Sequence, residues 1–319
     1  MHARIGFVAT ATRPIELSAS FKRAIPVAID YFALKHRAFP PVEQQYTDRD
    51  TMLYALAVGM GFDPTDERQL AFVYERRLKA LPTLAVVLAH PGFWMKDLAT
   101  GIDWVRVLHG EHSVVLHAPL PSAGTVVGRT RIRGITDKGK EKGALVTWER
   151  TLHEAGSGEL LATIEQVTFC RGDGGFSQRD GNGPPGGDAS PVSRPATPEG
   201  TPHQICDFAT LPQQALMYRL CGDRNPLHAD PAIAKAAGFP RPILHGLATF
   251  GIAGHAILKT YCDYDPARFV SIGVRFSAAV FPGETIRCEM WRSGDRVQFR
   301  ARALERNVIV LSHGTATTT

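Results

Sequence analysis

Ala144 to Leu152 and Leu160 to Val167 alternate apolar with polar residues between glycine-containing turns, a pattern that predicts antiparallel strands with one buried face. The same alternation returns over Thr285–Trp291, Val297–Ala303 and Val308–Ser312. Ahead of each strand-rich stretch the spacing turns helical. Tyr46-Thr47-Asp48-Arg49-Asp50 leads into Met52–Val58 and stops at Gly59, with acidic residues in the first turn and a glycine at the end, as a helix prefers. Leu211-Pro212-Gln213-Gln214 leads into Ala215–Cys221 and Gly222 in the same way. A second apolar segment follows in each half, Leu81–Ala89 in the first and Ile243–Leu258 in the second. The latter is apolar almost all round, which fits a helix enclosed by a curved sheet. Pairing Tyr54 with Tyr218, and Gly124 with Gly283 in matching turns, gives offsets of 164 and 159 residues. Offsets this close predict a duplicated unit of helices followed by an antiparallel sheet.

At 319 residues the chain is long for one core and comfortable for two. From Arg171 to about Gln204 the composition shifts to Gly, Pro, Ser, Asp and Thr, including Gly183-Pro184-Pro185-Gly186-Gly187. So little apolar surface cannot offset the entropy of ordering, and a flexible linker is expected. The organisation read from the sequence is a leader over 1–25, a first domain over 26–170, the linker over 171–204 and a second domain over 205–319. The leader carries one acid, Glu16, among Arg, Lys, Ser and Thr, a faint likeness to a transit peptide, and reads as a frayed terminus.

Composition narrows the class. The 44% hydrophobic and 21% charged fractions are those of a globular protein, and no run of eighteen apolar residues occurs, so no membrane span is expected. Five cysteines form no CxxC pair and are odd in number, which argues against a zinc ribbon and against a disulfide framework. A reducing compartment is expected, the cytoplasm or an organelle matrix. The sequence ends Thr317-Thr318-Thr319, without a Ser-Lys-Leu type peroxisomal address. The net charge of +5 is mild and its basic residues are scattered, which disfavours nucleic acid and suits a small polyanionic ligand such as a nucleotide-bearing carrier.

The richest chemistry lies in Gly222-Asp223-Arg224-Asn225-Pro226-Leu227-His228. Pro226 biases Asn225 away from helical geometry, so the acid and the imidazole sit on a turn that can aim both at one point. Together they supply the acid and base for adding or removing water, with Asn225 placed to hold one of them or the water. A plain alternative fits the same residues: Asp223 caps a helix beginning near Pro226, and His228 is an ordinary helix residue.

This string, with Ile243-Leu244-His245-Gly246-Leu247-Ala248-Thr249-Phe250-Gly251 downstream, resembles the signature of the MaoC-like, (R)-specific 2-enoyl-CoA hydratases, or hydratase 2. Tyr46–Gly59 and Leu81-Pro82-Thr83 are similar to the N-terminal half of the two-domain members. The resemblance implies an α+β double hotdog, in which each sheet wraps a long central helix, and an acyl-CoA thioester substrate with no separate cofactor and no metal. It implies that Asp223 and His228 are the catalytic pair, that Asn225 supports them, and that Gly246 offers a backbone N–H to the thioester oxygen. The start of an apolar helix at Gly246 agrees, since free N–H groups and the helix dipole favour developing negative charge there. The first half departs from the pattern: Met60 stands where Asp223 would be, no histidine follows within five residues, and Pro82-Thr83-Leu84 opposes His245-Gly246-Leu247. That half reads as catalytically silent, shaping space for the acyl chain or merely covering its partner's sheet edge.

Other candidates carry less. Arg275 matches an arginine of two-domain relatives and could meet a CoA phosphate or form a strand-end salt bridge. His245 reads as a capping or packing residue and His255 as core. His109, His112 and His117 are spaced irregularly, without a metal-binding pattern. Gly172-Asp173-Gly174-Gly175 lacks the strand-to-helix setting of a phosphate loop. A dehydratase acting on an acyl-carrier-protein intermediate, a hotdog thioesterase and a non-catalytic acyl-thioester binder remain alternatives, and the sequence leaves homodimer formation open.

Overall fold

The computed structural model describes residues 29–319, so the expected leader lies outside the described residues. Alternating side chains generate five strands in the first half: β1 (Val42–Tyr46), β2 (Val107–Leu116), β3 (Gly124–Asp137), β4 (Ala144–Glu154) and β5 (Leu160–Cys170). Five more form in the second: β6 (Gln204–Ala209), β7 (Phe269–Phe276), β8 (Thr285–Ser293), β9 (Arg296–Ala303) and β10 (Val308–Thr318). They make one antiparallel ten-stranded sheet in the order β1-β3-β4-β5-β2-β7-β10-β9-β8-β6. Read outward from the centre, each half repeats the same strand order, which is the duplication expected from the sequence. The halves join where β2 pairs with β7, Glu111 opposite Arg275 and Ser113 opposite Gly273. The architecture is the α+β double hotdog.

Six α-helices accompany the sheet among the described residues: α1 (Tyr31–Lys35), α2 (Asp48–Ala57), α3 (Glu67–Leu70), α4 (Gln214–Tyr218), α5 (Pro231–Ala236) and α6 (Gly246–Tyr261). The Asp50 carboxylate accepts from both the N–H and the hydroxyl of Thr47 at 2.8 Å, fixing the start of α2. The equivalent α2 and α4 meet across the junction. Tyr54 and Tyr218 rings lie 6.0 Å apart, and the Gln214 amide donates to the Ala57 carbonyl at 2.7 Å.

The long helix α6 is the core of the second half, with Phe250, Ile252, Ile257 and Leu258 all 0–1% exposed. Each such side chain contributes roughly 2 kcal/mol of burial. Its glycines permit close approach to the first half: a Cβ on Gly254 would meet Thr83 Cγ2 at 2.5 Å, and one on Gly251 would meet Val58 Cγ1 at 2.5 Å. Among the described residues the first half has no such helix. Its Leu81–Ala89 segment forms only a 3-10 turn, Pro82–Val86. The turn cannot lengthen, because Ala89 takes a positive φ of 46° and Pro91 follows. The expectation of a central helix in each sheet therefore holds for one half only.

The segment expected to be a flexible linker lies against the first half's sheet. Phe176 is 2% exposed, and Asp137 on β3 accepts from the N–H groups of Gly175 and Ser177 at 2.7 and 2.8 Å. Asp188 accepts from Ile135 N–H and from Lys35 at 2.8 and 2.7 Å. Polar side chains meeting backbone donors hold this stretch where apolar burial alone would not. No helix among the described residues is long and apolar enough to cross a membrane.

Candidate active site

The Gly222–His228 string forms a turn that breaks after α4, and its side chains first satisfy one another. Asn225 Oδ1 accepts from Leu227 N–H at 3.1 Å, capping a short 3-10 turn over Pro226–His228. Asp223 Oδ1 accepts from Asn225 N–H at 3.0 Å. Capping therefore falls to Asn225, and Asp223 is exposed at the mouth of the site. His228 is 8% exposed, and its Nδ1 lies 2.9 Å from the Ile243 carbonyl oxygen, which only an Nδ1–H can donate to. That tautomer leaves Nε2 with a lone pair, the arrangement a general base requires. Burial pushes the His228 pKa below its ordinary 6.5, against the opposing pull of the Ile243 carbonyl and the Asp223 charge. The imidazole is therefore neutral at pH 7.

His245 stands at the cap position of α6 and packs, as expected, and what it packs on is the Asp223–His228 turn. Its ring stacks on His228 with centroids 3.6 Å apart and planes at 26°, and its Nε2 donates to the Asp223 carbonyl at 3.1 Å. Tyr218 closes its other side at 4.9 Å. Burial, then the neighbouring His228, push the His245 pKa down to about 4. His245 also precedes α6, whose ladder begins with Ala248 and Thr249 N–H donating to the His245 carbonyl at 3.0 and 3.2 Å. The N–H groups of Gly246 and Leu247 precede that ladder, and Gly246 is exposed. A Cβ on Gly246 would meet the Phe276 ring at 3.1 Å, so glycine keeps the helix start open beside that aromatic face.

Asp223, His228 and His245 each offer a ligand atom within 4.8 Å of the others, a set that could be taken for a metal site. Stacked imidazoles send their in-plane lone pairs along near-parallel lines, whereas a metal needs them to converge at about 2 Å. Each ring also spends one nitrogen on a main-chain carbonyl. The arrangement fits a hydrogen-bonded acid–base cluster better than a coordination site.

The first half reaches this site through β2. His109 packs on Phe276 with centroids 4.5 Å apart, and its Nε2 lies 3.1 Å from His112 Nδ1. Burial pushes the His109 pKa down to about 4, opposed by the charge of Asp223. His117 is elsewhere, bonded to Thr163 Oγ1 at 2.9 Å, so the irregular triplet divides into a pair near the site and one surface residue. His255 is a core residue, 2% exposed and against Phe208. Arg275 pairs with Glu111 at 2.7 Å, which also binds Arg194 at 3.2 Å. The strand-end salt bridge thus describes Arg275, whose side chain is still 40% exposed.

Comparison with known proteins decides the family. Residues 44–172 match the MFE-2 hydratase 2 N-terminal domain and residues 193–313 the MaoC like domain. The peroxisomal enoyl-CoA hydratase 2 of Arabidopsis thaliana is 40% identical over 88% of this chain and 92% of its own. The chain belongs to the MaoC-like hydratase 2 family. An enoyl-CoA hydratase of Mycobacterium tuberculosis is 41% identical over 86% of this chain and 93% of its own. The crystal structure of a MaoC-like dehydratase from Phytophthora capsici superposes with a TM-score of 0.79 at 34% identity, covering 91% of this chain and 99% of that one. The hydratase 2 halves identified by these matches lie on either side of residues 173–192.

Proposed function

We propose that this hydratase 2 family member reversibly adds water across the trans-2 double bond of an enoyl-CoA, giving the (R)-3-hydroxyacyl-CoA. The observation that carries the reading is the juxtaposition of a neutral, Nδ1-anchored His228 with the exposed Asp223 carboxyl, one turn from a helix start with free N–H groups. His228 Nε2 takes a proton from water as the oxygen bonds to C3. The π electrons move onto the thioester as an enolate, and Gly246 N–H meets the oxygen that gains charge. Asp223 receives the proton that His228 took from water and delivers it to C2, so that water supplies both added groups and the pair ends as it began. One donor of this kind contributes about 3 kcal/mol of transition-state stabilisation. Nothing is oxidised or reduced, so the step calls for no redox cofactor. Both reacting side chains belong to one turn, which makes the addition syn. Asn225 and His245 hold that turn and are positioning residues.

Hydration of crotonyl-CoA in deuterated water tests this directly. Loss of enoyl absorbance without release of free thiol is expected, with syn coupling between C2 and C3 and a product oxidised by an (R)-specific dehydrogenase. Thiol release would make the protein a thioesterase. Oxidation by an (S)-specific dehydrogenase would overturn the stereochemical assignment. All five cysteines are free, which supports placing the protein in a reducing compartment, cytoplasm or organelle matrix.

A further inference from the structure

The inner face of the second half's sheet is wholly apolar along β9, where Val297, Phe299, Ala301 and Ala303 are all 0% exposed. The corresponding strand of the first half, β4, places Arg150 on its inner face, 1% exposed. Arg150 Nη2 donates to the carbonyls of Ala85 and Val86 at 3.1 and 2.8 Å. Its Nε and Nη1 have no partner, and no carboxylate pairs with it among the described residues. A buried guanidinium without a counter-charge is among the costliest groups a fold can hold, so the missing partner needs a reason.

Its surroundings repeat the deficit. Trp148 Nε1 and His112 Nε2 are also buried and unpartnered. Trp148 and His112 both stand opposite Gln166 in the sheet register, so the three form one inward row beside the row of Arg150. Gln166 is only half-buried although it shares this face. His90, 5.7 Å from the Trp148 ring, is solvent-accessible, yet enough protein surrounds it to push its pKa down to about 3. His90 therefore stands at the solvent end of this band. The polar band separates two apolar clusters, one containing Leu152 and Ile164 and the other Val146 and Trp148. It also continues to the reaction centre, from His112 to His109 at 3.1 Å, from His109 to Phe276 at 4.5 Å, and from Phe276 to the start of α6.

We propose that this band receives the distal end of the acyl chain and that Arg150 recognises a carboxylate there, so that the preferred substrates are enoyl-CoA esters bearing a second, terminal carboxyl group. The inference rests on the hydratase reading for the placement of the thioester, while the recognition itself belongs to Arg150. With only a 3-10 turn in place of a central helix, this half keeps a polar band inside its sheet, and a carboxylate would complete the guanidinium with charge-assisted hydrogen bonds.

Calorimetric binding of saturated acyl-CoAs tests the idea without relying on turnover. For chains of equal length, wild type is expected to bind the terminal-carboxyl ester at least ~10-fold tighter than the terminal-methyl ester, and Arg150→Met to abolish or reverse that ratio. Arg150→Met should also match or exceed the wild-type melting temperature, because it removes an unpaired buried charge. A purely structural arginine would instead give a lower melting temperature and an unchanged ratio. Equal affinities in wild type overturn the proposal even if Arg150→Met does not fold. Wild type that binds with the expected ratio but does not hydrate crotonyl-CoA would overturn the hydratase reading alone.

Discussion

The two halves of this molecule share a strand order and differ in what they enclose. The second half closes its sheet around the sixteen residues of α6, and the exposed start of that helix faces the Asp223–His228 turn. The first half encloses a five-residue 3-10 turn and a band of buried polar groups that includes Arg150 and His112. One well-packed helix contacts both halves, since α6 lies against Thr83 and Val58 through Gly254 and Gly251. The comparison teaches that a duplicated fold needs only one such helix to hold its shape. The other interior, packed on a short turn, is then free to hold buried polar side chains.

The largest test of that division is to disable the second half's pair. Asp223→Asn and His228→Gln are each expected to lower kcat by about 10²–10⁴-fold with the fold intact, since each keeps size and removes proton transfer. Retention of more than about a tenth of the activity by either variant would remove that residue from the mechanism. Gly246→Val comes next. Its side chain must displace the Phe276 ring, which a Cβ alone approaches to 3.1 Å. A fall of about 10²-fold in kcat with little change in circular dichroism is the expected result, the scale of a lost oxyanion donor.

Smaller effects fall on the first half. Val87, half-buried at the end of the 3-10 turn, is expected on enlargement to Val87→Trp to penalise long enoyl-CoA substrates several-fold more than crotonyl-CoA. Equal losses on both would mean overpacking of the core. The smallest effect is that of mild acid. Because burial lowers the His228 pKa beneath 6.5, the base stays deprotonated as pH falls from 8 to 6.5, and kcat/KM should change less than about twofold there. Below that range the base takes up a proton and the rate declines. An acid limb centred above 6.5 would show that His228 is not desolvated in the working enzyme.

The duplication and the strand-rich ends were legible because β8 and β9 alternate almost without interruption and β4, β5 and β10 do so in part. The strand β2 was not, because Val107-Leu108-His109-Gly110-Glu111-His112 carries a bulge between His109 and Glu111 that shifts its alternation. That irregularity also hid two histidines near the site. Asp223 and His228 were visible as a string. The stacking of His245 on His228 was not, since it depends on bringing together residues seventeen apart across α5. The docking of residues 175–188 within the expected linker is not legible from composition, which counts apolar burial and takes no account of carboxylates such as Asp137 and Asp188, which gather backbone donors.

The β2–β7 seam has a consequence for how such a protein could arise or be dismantled. A second half cut free of the first would expose β7 as a bare edge from Phe269 to Phe276, hydrogen-bonding groups outward, and edges of that kind recruit strands. The geometrically matched recruit is β7 of another copy, because the seam already relates equivalent strands antiparallel to one another. Fission of the gene would therefore tend to yield a symmetric dimer with two working centres, and fusion of two such genes the present chain, in which one centre is free to decay without loss of the shared sheet.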